Sequence, residues 1–143
     1  MEIKENDLRI GNWVSINNGI ESTVEEIQYD FIGLCGNMVS NKIKDIKPIK
    51  LTPEWLIKFG FVCDIQTAEF LKVYPQDNWS LKVDCGVGFN LIKPRFDTGA
   101  NWGALDNETY IICNESSIRV KYVHELQNVF FVIKKKELIY TAG

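Results

Sequence analysis

The chain has 143 residues, of which 45% are hydrophobic and 24% are charged, and its formal net charge is −3. This size and composition predict one globular core or two small ones and do not indicate a disordered tail. The acidic balance counts against a nucleic-acid-binding protein, because such proteins usually concentrate lysine and arginine on one face.

The start of the chain and its apolar runs indicate the cellular location of the protein. The first seven residues lack the basic end and apolar core of a secretory signal. No apolar run approaches the roughly 20 residues that a membrane-spanning helix needs. We therefore expect a cytoplasmic protein that does not contact a membrane.

The four cysteines are spaced 22 or 28 residues apart, without a Cys-x-x-Cys pair, and the chain has one histidine to complete a zinc site. Each cysteine follows or ends an apolar run that resembles a strand. We interpret them as small buried hydrophobic residues, and we expect no metal ion or other cofactor. They are Cys35, Cys63, Cys85 and Cys113.

The first 50 residues predict a meander of short strands at 8–16, 20–27, 31–35 and 38–43. The Asn17-Asn18-Gly19 segment predicts a tight hairpin, because Asn-Gly suits the positive φ angles of a type I′ turn. Isoleucines at 43, 46 and 49, with Pro48 among them, predict a short helical turn that leads into a last edge strand. Together these features predict an SH3-like small β-barrel over residues 1–50.

Residues 51–143 predict an α+β domain with an antiparallel sheet flanked by two helices. Thr52 can cap a helix, Pro53 can take its first position and Gly60 can end it, which predicts a helix at 53–59. Strands are expected at 61–65, 69–74, 79–85, 87–92, 109–113 and 117–122. The apolar period then changes from two to 3.6, which predicts a closing helix at about 124–135 that covers this sheet.

Three separated stretches of the chain form a recognisable pattern. They read Leu8-Arg-Ile-Gly-Asn-Trp-Val, Leu51-Thr-Pro-Glu-Trp-Leu-Ile-Lys-Phe-Gly-Phe and Val120-Lys-Tyr-Val-His-Glu-Leu-Gln-Asn-Val-Phe-Phe. The chain thereby resembles a family of small uncharacterised proteins encoded in bacterial chromosomes, mobile elements and bacteriophages. The resemblance implies no established activity, cofactor or site. This chain departs from the pattern at Lys134-Lys-Lys, where a glycine is expected to end the last helix.

Two features could indicate catalysis. His124 lies where the last strand becomes a helix, and a lone imidazole there could act as a base. No nucleophile pairs with it in the sequence, so we interpret it as a structural residue that satisfies free N–H groups of the next turn. The tetrapeptide Asp97-Thr-Gly-Ala also occurs in retroviral aspartic proteases, but the basic Lys93-Pro-Arg before it favours an ordinary loop. We therefore expect no enzymatic activity.

The stretch 94–108 is about 15 residues long without a predicted element, and such loops are often binding loops. Trp102 lies between small polar neighbours and could anchor an interface. We therefore predict a non-enzymatic accessory or binding protein that contacts another protein or a second copy of itself. The candidate binding residues are Arg95, Asp97, Asn101, Trp102 and Asp106.

Two alternatives stay open. The first is a nucleic-acid-binding module that uses the barrel and a lysine edge made of Lys42, Lys44, Lys47 and Lys50. Because Asp45 interrupts this run and arginine is missing from it, a solvated edge that discourages strand addition is the favoured interpretation. The second is an enzyme of unrecognised type, which would need a pocket that holds His124 or the Asp97 loop.

Overall fold

A computed structural model describes residues 3–16, 19–36, 41–68, 73–82, 88–94, 108–113 and 118–140. The chain divides into two compact units. Unit 1 comprises Met1–Lys50 and Tyr122–Glu137, and unit 2 comprises Leu51–Lys121 and Leu138–Gly143. Within the described residues, each unit contains a five-stranded antiparallel sheet and one α-helix. The predicted α+β class is therefore confirmed.

The sheet of unit 1 has the strand order β4-β3-β2-β1-β5. The strands are β1 (Trp13–Ile16), β2 (Glu21–Gln28), β3 (Phe31–Leu34), β4 (Asn41–Lys42) and β5 (Ile46–Lys47). A 3₁₀ turn at Ile43–Asp45 separates β4 from β5, as the isoleucine spacing predicted. Among the described residues no ladder joins β4 to β5, so the sheet is open and the SH3-like barrel of residues 1–50 stays a prediction.

The core of unit 1 follows the two-residue period of its strands. In β3, Ile32 and Leu34 are buried, whereas Phe31 is 40% exposed because it lies on the opposite face. The buried cluster consists of aliphatic side chains from the strands and from the two sides of a further 3₁₀ turn at residues 5–7. Its members are Ile3, Leu8, Val14, Val24, Ile32, Leu34 and Ile46.

The second α-helix, α2 (Val123–Lys134), belongs to unit 1 and contacts β1. This helix was predicted to cover the second sheet, whereas it belongs to the same unit as the first. Its position is fixed by the buried amide of Gln127, which accepts a hydrogen bond from the Trp13 N–H at 2.8 Å and donates one to the Gly11 carbonyl at 3.1 Å. Hydrophobic periodicity could not predict this contact, because it depends on where two polar atoms lie.

A further group of polar contacts surrounds Asn12, which is buried. The Asn12 Oδ1 accepts from the Arg9 N–H at 2.7 Å, and its Nδ2 donates to the Asn128 Oδ1 at 2.9 Å. The Arg9 Nη1 donates to the same Asn128 oxygen at 3.1 Å. We call Arg9, Asn12, Gln127 and Asn128 the amide network. It joins the first and the third of the stretches that carry the family resemblance.

Both ends of α2 are stabilised by residues close in sequence. The Glu125 carboxylate accepts a hydrogen bond from the Tyr122 N–H at 3.1 Å. The helix ends at Lys135, whose φ of 59° lies in the left-handed region and whose N–H donates to the Phe131 carbonyl at 2.8 Å. A lysine thus occupies the conformation for which a glycine was expected.

The first α-helix, α1 (Pro53–Lys58), lies in unit 2 and matches its predicted signals. The Thr52 Oγ1 accepts from the Trp55 N–H at 3.4 Å, and Gly60 follows the helix with a φ of 93°. The Trp55 ring lies 5.8 Å from the Tyr140 ring. In the part of the chain that the structure describes, neither α1 nor α2 is long and apolar enough to cross a membrane.

The sheet of unit 2 has the order β10-β9-β8-β7-β6. Its strands are β6 (Val62–Ala68), β7 (Val73–Leu81), β8 (Phe89–Pro94), β9 (Tyr110–Ile112) and β10 (Arg119–Val120). The prediction of two strands at 69–74 and 79–85 was wrong, because β7 is one strand that runs through Pro75. Pro75 is tolerated within the strand because the pairing of β7 with β6 is irregular there: the register shifts between Gln66 and Ala68, which lie opposite Gln76 and Val73.

The prediction that the cysteines are buried was also wrong for the three that the structure describes, since Cys35, Cys63 and Cys113 are exposed. Cys35 and Cys113 directly follow the last residues of β3 and β9, where the chain leaves the sheet. Cys63 lies on β6, which is an edge strand of the described sheet. Cys85 lies outside the described residues.

Candidate functional site

The clearest surface feature of unit 1 is the tight turn between β2 and β3, which contains Tyr29 and Asp30. Asp30 has a φ of 64°, a left-handed conformation that aspartate tolerates better than most residues. The Asp30 carbonyl accepts a hydrogen bond from the Ile43 N–H at 2.9 Å, which fixes the 3₁₀ turn beside this hairpin. Tyr29 is 87% exposed at the tip.

A cavity of about 410 Å³ lies beside this turn and is lined by Asp30, Phe31, Lys42, Ile43 and Lys44. We call it the Phe31 cavity. Strand pairing forms it, because Phe31 and Lys42 lie directly opposite each other on β3 and β4. The cavity therefore combines apolar side chains with two ammonium groups and one carboxylate.

A second concave region of about 560 Å³ is lined by Lys4, Asn6, Ile27, Gln28 and Tyr29. We call it the Tyr29 hollow. Consecutive residues of the same hairpin line the two regions, 27–29 the hollow and 30–31 the cavity. Among the described residues, the two linings contain three lysines and one aspartate, although the whole chain has a formal charge of −3.

All four lysines of the predicted edge are exposed. The structure brings Lys42 and Lys44 together at the Phe31 cavity. Lys47 lies on β5 opposite Ser15, and Lys50 forms an isolated bridge with Tyr122. Neither of these two lysines lines the cavity. Two of the four candidate lysines therefore line the same cavity.

The predicted binding loop cannot be placed in the fold. Arg95, Asp97, Asn101, Trp102 and Asp106 all lie outside the described residues, as does the whole Asp97-Thr-Gly-Ala segment. Their binding role stays a prediction.

His124 is 1% exposed, and its Nδ1 has no hydrogen-bond partner. The imidazole stacks on Tyr122 with ring centroids 6.1 Å apart. Burial lowers the pKa of His124 below its ordinary value, and the nearby carboxylates of Glu125 and Asp7 oppose this in part. The interpretation that His124 helps to satisfy free N–H groups of the next turn receives no support at Nδ1, which accepts no hydrogen bond from a described residue. Such a buried imidazole is badly placed to reach a substrate.

Unit 2 brings together titratable groups that the sequence did not indicate. Asp77 lies opposite Lys93 on neighbouring strands, and the Lys93 Nζ lies 5.8 Å from the centre of the Tyr110 ring. Burial, with the charges of Asp77 and Glu54, raises the pKa of Tyr110 to about 12. The phenol therefore keeps its proton and can donate a hydrogen bond. Only the strand register could have shown that these titratable groups lie close together.

Metal-ligand geometry does not occur in the part of the chain that the structure describes. No group of three or more histidine, cysteine, aspartate or glutamate side chains there is arranged to hold a metal ion.

Comparison of the chain with protein-family models, with curated proteins and with solved structures finds no match. The function is therefore inferred from the geometry of the β2–β3 turn of unit 1 and of the cavity and hollow beside it.

Proposed function

We propose that this chain is a non-enzymatic accessory or binding protein that acts through contact with another protein, and that the β2–β3 turn of unit 1 makes this contact. The exposure of two aromatic side chains at one tight turn carries the proposal: Tyr29 is 87% and Phe31 40% exposed. Aromatic residues that enter partner pockets often dominate binding energy, because they bury a large area at a small cost in side-chain entropy.

The setting of these side chains supports the proposal. Tyr29 lies in the turn and Phe31 begins β3, and the backbone between them is held by the hydrogen bond from the Ile43 N–H to the Asp30 carbonyl, so ordering of the backbone adds little cost to binding. The predicted SH3-like form of residues 1–50 is part of the proposal. It is supported by the return of β5 to pair with β1 and by the 3₁₀ turn between β4 and β5.

The cytoplasmic location and a link to a phage or mobile element also belong to the proposal. The exposed thiols of Cys35, Cys63 and Cys113 suit a reducing compartment, where exposed thiols are not oxidised to disulfides. The link to mobile elements depends on the sequence resemblance alone.

A photocrosslinking experiment tests the proposal. The full chain carries p-benzoylphenylalanine in place of Phe31, and in a control in place of Ile57, which is 62% exposed on α1 of unit 2. We expect irradiation of cells that express the gene to give a discrete protein adduct from position 31 and not from position 57. Identical adducts from both positions, or no protein adduct from position 31, would contradict the proposal.

A nucleic-acid-binding module is the second candidate, because Lys42 and Lys44 lie beside the exposed ring of Phe31. Aromatic rings next to basic groups can stack on unpaired bases. In the same experiment, an adduct at position 31 that is digested by nuclease and not by protease would favour this candidate. Binding should then fall steeply between 50 and 200 mM salt.

A further inference from the structure

The Phe31 cavity has an apolar part formed by Phe31 of β3 and Ile43 of the 3₁₀ turn. Its volume of about 410 Å³ lies within the range of about 300 to 1,000 Å³ that is usual for binding pockets. Phe31 faces outward because its neighbour in the strand, Ile32, enters the core of unit 1. An apolar side chain of a ligand would therefore be in contact with apolar protein on entering the cavity.

The charged groups around this apolar part favour a negatively charged ligand. Lys42 and Lys44 precede and follow Ile43, both are exposed, and Asp30 is the one acid among the described residues of the lining. The described lining of the Tyr29 hollow adds Lys4. The sign of the charge here is opposite to that of the whole chain. Complementary charge mainly guides encounter and selects partners.

The same features favour a peptide over a nucleic acid. A groove for single-stranded nucleic acid follows the backbone with a continuous row of basic groups. Here Lys47 and Lys50 do not line the cavity, so the two lysines beside Phe31 do not form a continuous row. A local cavity with two bases at its edge suits a single side chain with acidic neighbours.

We propose that the Phe31 cavity binds an apolar side chain carried by an acidic segment of a protein partner. This inference rests on the proposed function, because it names the chemistry of the partner at the same turn.

Nuclear magnetic resonance of the full, ¹⁵N-labelled chain tests the inference with synthetic probes. The first probe is the blocked peptide Asp-Glu-Phe-Glu-Asp, and the others are Asp-Glu-Ala-Glu-Asp, Lys-Lys-Phe-Lys-Lys and an oligothymidylate of eight nucleotides. We expect saturable shifts from the first probe at Phe31, Lys42, Ile43 and Lys44. The alanine peptide should bind about tenfold more weakly, because the apolar contact is lost.

Two matched double variants separate the local charge from the total charge. Lys42→Glu with Lys44→Glu should weaken binding of the first peptide about tenfold, since two attractions become repulsions. Lys47→Glu with Lys50→Glu changes the net charge equally but should alter binding less than twofold. Unchanged ¹⁵N spectra outside the altered sites verify that both variants fold.

Four results would overturn the inference. They are the absence of saturable shifts, equal binding of the basic peptide, tighter binding of the oligonucleotide at these residues, and equal weakening by the two double variants. If position 31 crosslinks to a protein but the acidic peptide does not bind, the ligand class is wrong and the proposed function stands. If the peptide binds but no cellular protein crosslinks, the proposed function fails instead.

Discussion

In unit 1 the helix is attached to the strands by side-chain amides, whereas in unit 2 the helix makes its contacts through aromatic rings. Gln127 of α2 bonds to backbone groups around β1, although it lies 114 positions after Trp13 in the sequence. In unit 2, Trp55 of α1 lies 5.8 Å from both the Phe59 ring and the Tyr140 ring. The helix of unit 1 is thus held by directional hydrogen bonds, whereas the helix of unit 2 is held by contacts between rings, which depend less on direction.

This difference has energetic consequences. A buried amide that loses its partner leaves an unsatisfied polar atom, which costs about 1 to 3 kcal/mol. Aromatic packing has no such requirement for direction, and it tolerates substitutions that conserve volume. We therefore expect unit 1 to depend on the identity of a few polar atoms, and unit 2 to depend on the volume of its side chains.

The largest effect should come from removal of volume in unit 2. Phe89 is fully buried and meets Phe61 edge to face with ring centroids 6.3 Å apart. We expect Phe89→Ala to lower the free energy of unfolding by about 3 to 5 kcal/mol, because a cavity replaces the ring. Hydrogen exchange followed by mass spectrometry should show faster exchange in β7 and β8. The exposed Val62→Ala should change stability by less than about 0.5 kcal/mol.

A substitution that conserves the volume of a side chain but removes its polar atoms should destabilise unit 1. Gln127→Leu leaves the Trp13 N–H and the Gly11 carbonyl without their partner, at a cost of about 2 to 4 kcal/mol. Urea unfolding measures this cost, with the exposed Val132→Ala on the same helix as the control. A loss below 1 kcal/mol would mean that water or another group replaces the amide, and the contrast between the units would fail.

The buried imidazole should make the stability of unit 1 depend on pH. The folded-state pKa of His124 is below its ordinary value of 6.5, so the unfolded chain binds the proton more strongly. Stability is then complete above about pH 6.5 and falls as the pH decreases towards the lowered pKa, by up to about 1.4 kcal/mol per pH unit.

His124→Phe should flatten this dependence, because His124 is the single histidine of the chain. The measurement is urea unfolding at pH 7.5, 6.5 and 5.5 for both proteins. Parallel pH profiles would show that the imidazole does not control the effect.

The smallest effects on stability are expected from two cations that lie over aromatic rings, one in each unit. The Arg9 guanidinium lies 4.0 Å from the centre of the Phe131 ring, and it also bonds to Asn128 and forms an ion pair with Glu137. In unit 2 the Lys58 Nζ lies 5.2 Å from the centre of the Trp55 ring.

We expect Arg9→Met to cost about 1 to 2 kcal/mol and Lys58→Met about 0.5 kcal/mol. Thermal unfolding of the two variants in parallel gives the ranking. The reverse order would mean that the polar contacts of Arg9 add nothing to the ring contact.

Local signals in the sequence were sufficient for the elements whose ends are set by nearby residues. Thr52 and Gly60 define α1 because capping depends on residues within one turn. The isoleucine spacing gave the 3₁₀ turn at Ile43–Asp45 for the same reason. Strand β7 was not predictable in this way, because the register shift that accommodates Pro75 depends on the pairing of β7 with β6.

The candidate site was predictable in part. Lys42 and Lys44 stand out in the sequence as a basic edge, but the sequence does not show that Lys47 and Lys50 lie elsewhere. Phe31 was missed, although a signal exists: Ile32 and Leu34 share a face, and strand alternation places Phe31 on the other. Tyr29 carries no such signal, because its exposure depends on the geometry of the turn.

The amide network also has a consequence for the synthesis of the protein. Asn12 leaves the ribosome 115 residues before Gln127, which corresponds to a delay of about 5 to 25 seconds at about 5 to 20 residues per second. During that interval the first strands exist without the helix that satisfies the buried polar groups around β1. The buried polar groups around Asn12 must therefore stay hydrated until Gln127 and Asn128 have been translated.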